Sequence, residues 1–162
     1  MRKLGIGIAL LFVLFDSVRQ AALIITVLPL AAIDAATLAR TSRLLVVAST
    51  FGEGEPPEGA ELFHKWLMGK RAPELKGLNF AVLGLGDSSY EFFNKTAQDF
   101  DTRLEALGGT RLLERVELDV DYKAAADAWI ADIVAKLKSL SGSAATSAQL
   151  TQTVQLASSA AW

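Results

Sequence analysis

Two stretches of this 162-residue chain carry residue types that could do chemistry. The first reads Ser49-Thr50-Phe51-Gly52-Glu53-Gly54-Glu55-Pro56-Pro57. The second reads Leu85-Gly86-Asp87-Ser88-Ser89-Tyr90-Glu91-Phe92-Phe93-Asn94. Each combines hydroxyls, glycine backbone and an aromatic ring. Phe51 and Tyr90 could flank a flat ligand, and ring stacking adds roughly 0.5–1.5 kcal/mol beyond the area it buries. Gly52 and Gly54 admit positive φ, which turns backbone amides and carbonyls toward a ligand edge. The duller readings are ordinary packing for the aromatics and plain turns for the glycines. Glu53, Glu55 and Glu58 read as a solvated acidic face rather than a catalytic pair. Gly84-Leu85-Gly86-Asp87-Ser88-Ser89 nearly matches a dinucleotide fingerprint, but Ser89 stands where the third glycine belongs. With one histidine, His64, and no cysteine, thiol catalysis, disulfides and Cys-ligated metal sites are excluded within this chain.

Composition sets the frame for these loops. Half the residues are hydrophobic (51%) and 21% are charged, which is too apolar for disorder. A net charge of -2 speaks against general nucleic-acid binding. Charge is uneven: residues 1–46 hold five bases against two acids, and the remainder eleven bases against sixteen acids. An acidic later part suits solubility or the docking of a basic partner.

Strand-like and helix-like segments alternate around the two loops. Ile24–Leu28, Leu44–Ala48 and Leu78–Leu85 are apolar strands without polar alternation, and Leu112–Leu118 reads as a strand nearer an edge. Asp34 caps a short helix to Thr41. Pro56-Pro57 open a second helix to about Gly69, Glu91–Leu107 forms a third, and Tyr122–Leu140 a fourth. Strands of this kind joined by helices predict a doubly wound parallel α/β sheet covered on both faces. In such sheets ligands bind at the carboxyl ends of the strands, where both loops fall. Residues 24–140 are expected to form the domain. Residues 141–162, rich in Ser, Ala, Gln and Thr, are expected to be a linker or tail.

Residues 1–23 form an apolar start. Leu4 to Phe15 is twelve residues, shorter than the roughly 20 that span a membrane. It suits a buried strand or helix; with Arg2 and Lys3 before it, it also suits an export signal or membrane attachment through residues 1–15. A cytoplasmic location is the first expectation.

On three motifs in order, at 49–57, 85–94 and 107–122, the sequence resembles the flavodoxin-like FMN domain of diflavin reductases of the NADPH–sulfite reductase type. The likeness runs from about Ile24 to Leu140. It implies a flavodoxin-like three-layer sandwich that binds FMN. Ser49, Thr50, Phe51 and Gly52, followed by Glu53 and Gly54, would wrap one side of the flavin ring. Leu85 through Gly86, Asp87, Ser88, Ser89, Tyr90, Glu91, Phe92, Phe93 and Asn94 would wrap the other, with Tyr90 stacked on it. Asp119 would lie near the ring edge. The resemblance further implies electron transfer from an FAD/NADPH reductase domain or subunit to a haem or iron–sulfur acceptor, this chain acting as a relay and not as a complete enzyme.

One departure stands out. The family grips the FMN phosphate with a Ser/Thr- and Gly-rich loop after the first strand. Here Leu4–Phe15 contains no Ser or Thr, and after Gly7 no glycine occurs until Gly52. The expectation is a site with its ring half intact and its phosphate half absent or defective. The other reading is a flavin-free, degenerate flavodoxin-like domain without redox activity.

Overall fold

The computed structural model describes residues 10–14 and 25–140. Its elements follow the hydrophobic pattern. Strand β1 is Leu10–Leu14, β2 Ile25–Pro29, β3 Arg43–Ser49, β4 Asn79–Leu85, β5 Thr110–Arg111 and β6 Val116–Leu118. Helix α1 is Ala35–Ala39, α2 Glu61–Met68, α3 Lys95–Ala106, and α4 covers 123–140. The sheet order is β2-β1-β3-β4-β5, with β6 also pairing to β4 beyond β5. β5 and β6 are therefore two pieces of one broken edge; of the single strand expected over Leu112–Leu118 only Val116–Leu118 forms, and β5 lies just before that run.

β3, β4, β5 and β6 are parallel, as the unalternating apolar runs of β3 and β4 led one to expect. β1, in the N-terminal part expected to be altered, departs from the parallel arrangement. It lies between β2 and β3 and is antiparallel to both, pairing Leu10 with Val47 and Leu14 with Arg43. The ten residues between β1 and β2 are fewer than a parallel crossover needs, so the pair is antiparallel. β2 and β3 consequently run the same way, linked through a 3-10 turn at Leu30–Ala32 and through α1. The expectations for export or membrane attachment through residues 1–15, and for a tail at 141–162, fall largely or wholly outside the described residues.

Alternate residues of β3 and β4 serve two cores. Leu44, Val46, Ala48, Phe80 and Val82 pack with Leu38 of α1, Phe63 and Leu67 of α2, and Ala97, Phe100 and Leu104 of α3. Leu45, Ala81 and Leu83 pack on the other face against Trp129, Ile133 and Leu137 of α4, together with Leu112 and Leu118. The result is a three-layer sandwich. Asp34 caps α1 as expected, its Oδ1 accepting from the Thr37 amide at 2.7 Å. α2 starts at Glu61 and not at the prolines, because the chain is still turning at Gly59, whose φ is +89°. α3 starts at Lys95 and not Glu91, because Asn94 is left-handed at φ 54° and closes a turn.

The broken edge is tied to α3 by charge. Asp101 is buried and accepts from Arg111 Nε at 2.9 Å and Nη2 at 2.8 Å, and from Arg115 Nη1 at 2.8 Å. Arg111 also reaches Glu105, Arg115 reaches Glu117, and the Arg111 guanidinium lies 5.8 Å from the Phe80 ring centre. These bonds hold the guanidinium of Arg111 charged even more firmly than usual, the Asp101 hydrogen bonds contributing most.

Candidate flavin-ring cleft

The parallel register places three strand tips side by side: Ser49 pairs with Leu85, and Leu85 with Leu118. Each tip releases a loop, and strands in a sheet are about 4.8 Å apart. The three loops therefore begin within one ring's width of each other. They enclose a cleft of about 820 Å³.

The first loop is held by its own backbone. The amides and carbonyls of Phe51 and Glu55 pair both ways at 2.9 Å, and the Gly54 amide donates to the Phe51 carbonyl at 3.1 Å. Gly52 and Gly54 have φ of +52° and +104°, a conformation that favours glycine at both positions. The loop also caps α3: the Thr96 amide donates to Thr50 Oγ1 at 3.1 Å, and Thr96 Oγ1 donates to the Glu55 carbonyl at 3.2 Å. Phe51 is left 73% exposed.

The second loop is fastened at both ends to the tip of β6. Gly86 N donates to the Leu118 carbonyl at 2.9 Å, and Asn94 Nδ2 donates to the same carbonyl at 3.2 Å. Asn94 is fully buried, and its Oδ1 has no hydrogen-bond partner. A Cβ built on Gly84 would stand 2.5 Å from that oxygen, so only a glycine leaves it room. Within the loop, Asp87 Oδ1 accepts from Ser89 N at 2.9 Å and Ser89 Oγ at 2.6 Å. Tyr90, at the loop's crest, is 64% exposed.

The third loop begins at Asp119. Its Oδ1 accepts from the amides of Ser88 at 3.0 Å and Val120 at 2.8 Å, and its Oδ2 accepts from the Ser88 hydroxyl. The Ser88 hydroxyl, then the Ser88 and Val120 amides, hold the Asp119 carboxyl below the ordinary carboxylate range. Asp119 thus clamps the second loop to the third.

Of the residues the sequence singled out, Ser49, Thr50, Phe51, Gly52, Leu85, Gly86, Asp87, Tyr90, Phe92, Phe93, Asn94 and Asp119 line the cleft. Glu53, Gly54, Ser88, Ser89 and Glu91 do not. Gly54 instead lets the first loop approach the second, since a Cβ there would meet Phe92 at 3.2 Å. Ser88 and Ser89 instead bond the carboxylates of Asp119 and Asp87, which do line it. Val120 and Tyr122 line the cleft and were not foreseen as site residues. The signal for Tyr122 was an aromatic beside two acids directly after a strand. His64 lies elsewhere, edge-on to Phe100 and 3.4 Å from Asp99 Oδ2, in keeping with a structural role.

Two aromatics left largely in solvent, one on each of two adjacent loops, suit a planar ligand better than they suit packing. Comparison with known proteins bears on this. The flavodoxin family model matches residues 14–129. The chain belongs to the flavodoxin family. It is 54% identical over 123 residues to the sulfite reductase [NADPH] flavoprotein alpha-component of Neisseria meningitidis, a match covering 76% of this chain and 20% of that protein. Against the same component from Escherichia coli K12 it is 54% identical over 110 residues, 68% of this chain and 18% of the relative. This flavodoxin-family chain thus spans about a fifth of the length of those relatives. A solved flavodoxin from Pseudomonas aeruginosa, a cysteine-to-serine mutant, superposes with a TM-score of 0.53 at 30% identity, covering 60% of this chain and 67% of that one.

Proposed function

We propose that this chain is an FMN-type electron-transfer domain of the sulfite reductase flavoprotein kind. The observation that carries the reading is the convergence of three adjacent strand tips on one cleft, with Phe51 and Tyr90 exposed beside it. The ring of a flavin fits the chemistry of this lining, with aromatic faces, glycine backbone and buried Asn94. When bound, the flavin supplies the capacity to accept and release electrons.

The chain's own residues do the rest. Phe51, Tyr90 and Tyr122 provide flat apolar surface, and Asp119 holds the second loop in place through Ser88. Glu53, Glu55, Asp87, Glu91, Asp119 and Asp121 gather negative charge at this end of the sheet. That charge disfavours added negative charge on a ring in the cleft and so lowers its reduction potential. It also steers a basic electron partner. In this reading the donor is an FAD/NADPH reductase module and the acceptor a haem or iron–sulfur protein, met in the cytoplasm. No helix among the described residues is long and apolar enough to cross a membrane.

Titration of the purified full chain with FMN, followed by flavin fluorescence, tests the reading. Saturable quenching is expected. Tyr90→Ala and Phe51→Ala should each weaken binding about three- to tenfold, the worth of one stacking contact. Leu62→Ala, at an equally exposed site on α2, should leave it unchanged. Absence of binding at about 100 µM flavin, weaker than about 5.5 kcal/mol, would overturn the reading.

A further inference from the structure

Helix α3 is capped from outside its own segment. Its N-cap residue, Asn94, makes no side-chain capping bond; its Nδ2 donates to the Leu118 carbonyl instead. The first-turn amide of Thr96, which an α-helix cannot satisfy internally, donates to Thr50 Oγ1, 46 residues earlier in the chain. The Thr96 hydroxyl donates to the Glu55 carbonyl at 3.2 Å. Thr96 is fully buried, and both of its donors serve the first loop.

The two bonds clasp that loop at its two ends. Thr50 precedes the backbone pair of Phe51 and Glu55, and Glu55 completes it. Phe51 stands between the two points of attachment. It is 73% exposed, so its own packing holds it weakly and the loop backbone sets where its ring stands. The anchor behind Thr96 is tightly packed. A Cβ on Gly84 of β4 would come within 2.8 Å of the Cβ of Ala97, the next residue, and Asn94 is bonded to the tip of β6. Thr96 therefore ties the loop that carries Phe51 to a fixed point on the sheet.

We propose that Thr96 is a positioning residue of the flavin site: it holds the first loop, and through it the Phe51 ring, against a flavin bound in the cleft. The proposal rests on the flavin reading above and adds to it a residue that does not itself line the cleft. Thr96 touches no ligand; it acts through Glu55, Thr50 and Phe51. Loosening it can weaken binding no more than loss of the Phe51 ring does, and has nothing left to act on once that ring is gone.

The test is a double-mutant cycle on FMN affinity, by fluorescence titration of the full chain. Thr96→Val keeps the outline of the side chain and removes the hydroxyl donor. The Glu55 carbonyl still accepts from the Phe51 amide at 2.9 Å, so it is not left bare. Thr96→Val should weaken FMN binding about two- to fivefold in the wild type and in Tyr90→Ala, and less than about 1.5-fold in Phe51→Ala. Thr96→Ser, which restores the hydroxyl, should bind as the wild type does. A merely structural role would lower the urea midpoint and weaken binding alike in all three backgrounds. Thr96→Ala removes the same donor in a smaller side chain and carries the test if Thr96→Val does not fold. Equal weakening with and without the Phe51 ring, or an affinity unchanged in a folded variant that lacks the hydroxyl, would overturn the proposal and leave the flavin reading standing. If the unmodified chain binds no FMN, the flavin reading fails and the proposal fails with it.

Discussion

Replacing Asp101 by alanine removes the acceptor that joins α3 to the broken edge of the sheet. The carboxylate is 3% exposed and takes three hydrogen bonds from two arginines whose side chains are 23% and 29% exposed. Removing one partner of a buried ion pair costs about 3–5 kcal/mol, because a charge is left without compensation. Here each arginine keeps a second carboxylate, Glu105 or Glu117, and reaches water. The expected loss is therefore smaller, about 2–3 kcal/mol for Asp101→Ala, and about 1–2 kcal/mol for Asp101→Asn, which retains an acceptor oxygen. Urea unfolding followed by circular dichroism measures this. With a slope of about 1–3 kcal/mol/M, the midpoint of Asp101→Ala should fall by about 1–2 M. A fall of less than about 0.3 M would refute the reasoning and mean that the arginines pair equally well without Asp101. A cycle with Arg115→Ala should return a coupling of about 1 kcal/mol.

Gly84→Ala should destabilise the domain by about 1–3 kcal/mol, because the new methyl overlaps Asn94 Oδ1 and the Ala97 Cβ, built at 2.5 and 2.8 Å; a thermal melt unchanged within about 1 °C would contradict this. The Asp119 clamp should be acid-sensitive. Its folded pKa lies below the ordinary 3.8, so its stabilising contribution is complete above that value and is lost as pH falls through the lowered folded pKa. The stability difference between the wild type and Asp119→Asn, measured by denaturation at stepped pH, should accordingly shrink below 3.8; a difference that persists in acid would argue against the clamp.

Much of the site was legible because its residues are contiguous. Ser49–Gly52 and Leu85–Asn94 each follow an apolar run, and a parallel sheet delivers the ends of adjacent runs to one place. The cap at Asp34 was legible for a local reason, the reach of its carboxylate to the amide three residues on. Boundaries set by unusual backbone were harder to read. Asn94 at φ 54° delays α3 by one turn, and a left-handed asparagine has no mark in composition. Val120 and Tyr122 escaped notice because they reach the cleft only through β6, a strand of three residues. The direction of β1 was hidden for a different reason. Leu10-Leu11-Phe12-Val13-Leu14 is apolar at every position, so its pattern carries no polarity that a sheet could use to orient it.

That backward strand separates two kinds of tolerance in one sheet. An all-apolar pentapeptide is close to a palindrome: read from either end it offers the same greasy ribbon and the same row of backbone donors and acceptors. The strand between β2 and β3 takes its direction from the short link to β2 and not from its own pattern. The opposite margin has no such latitude, because there each tip must release a particular turn. The first strand thus carries no atom that its direction depends on, whereas a single methyl at Gly84 would collide with the side chain that ties the second loop to β6.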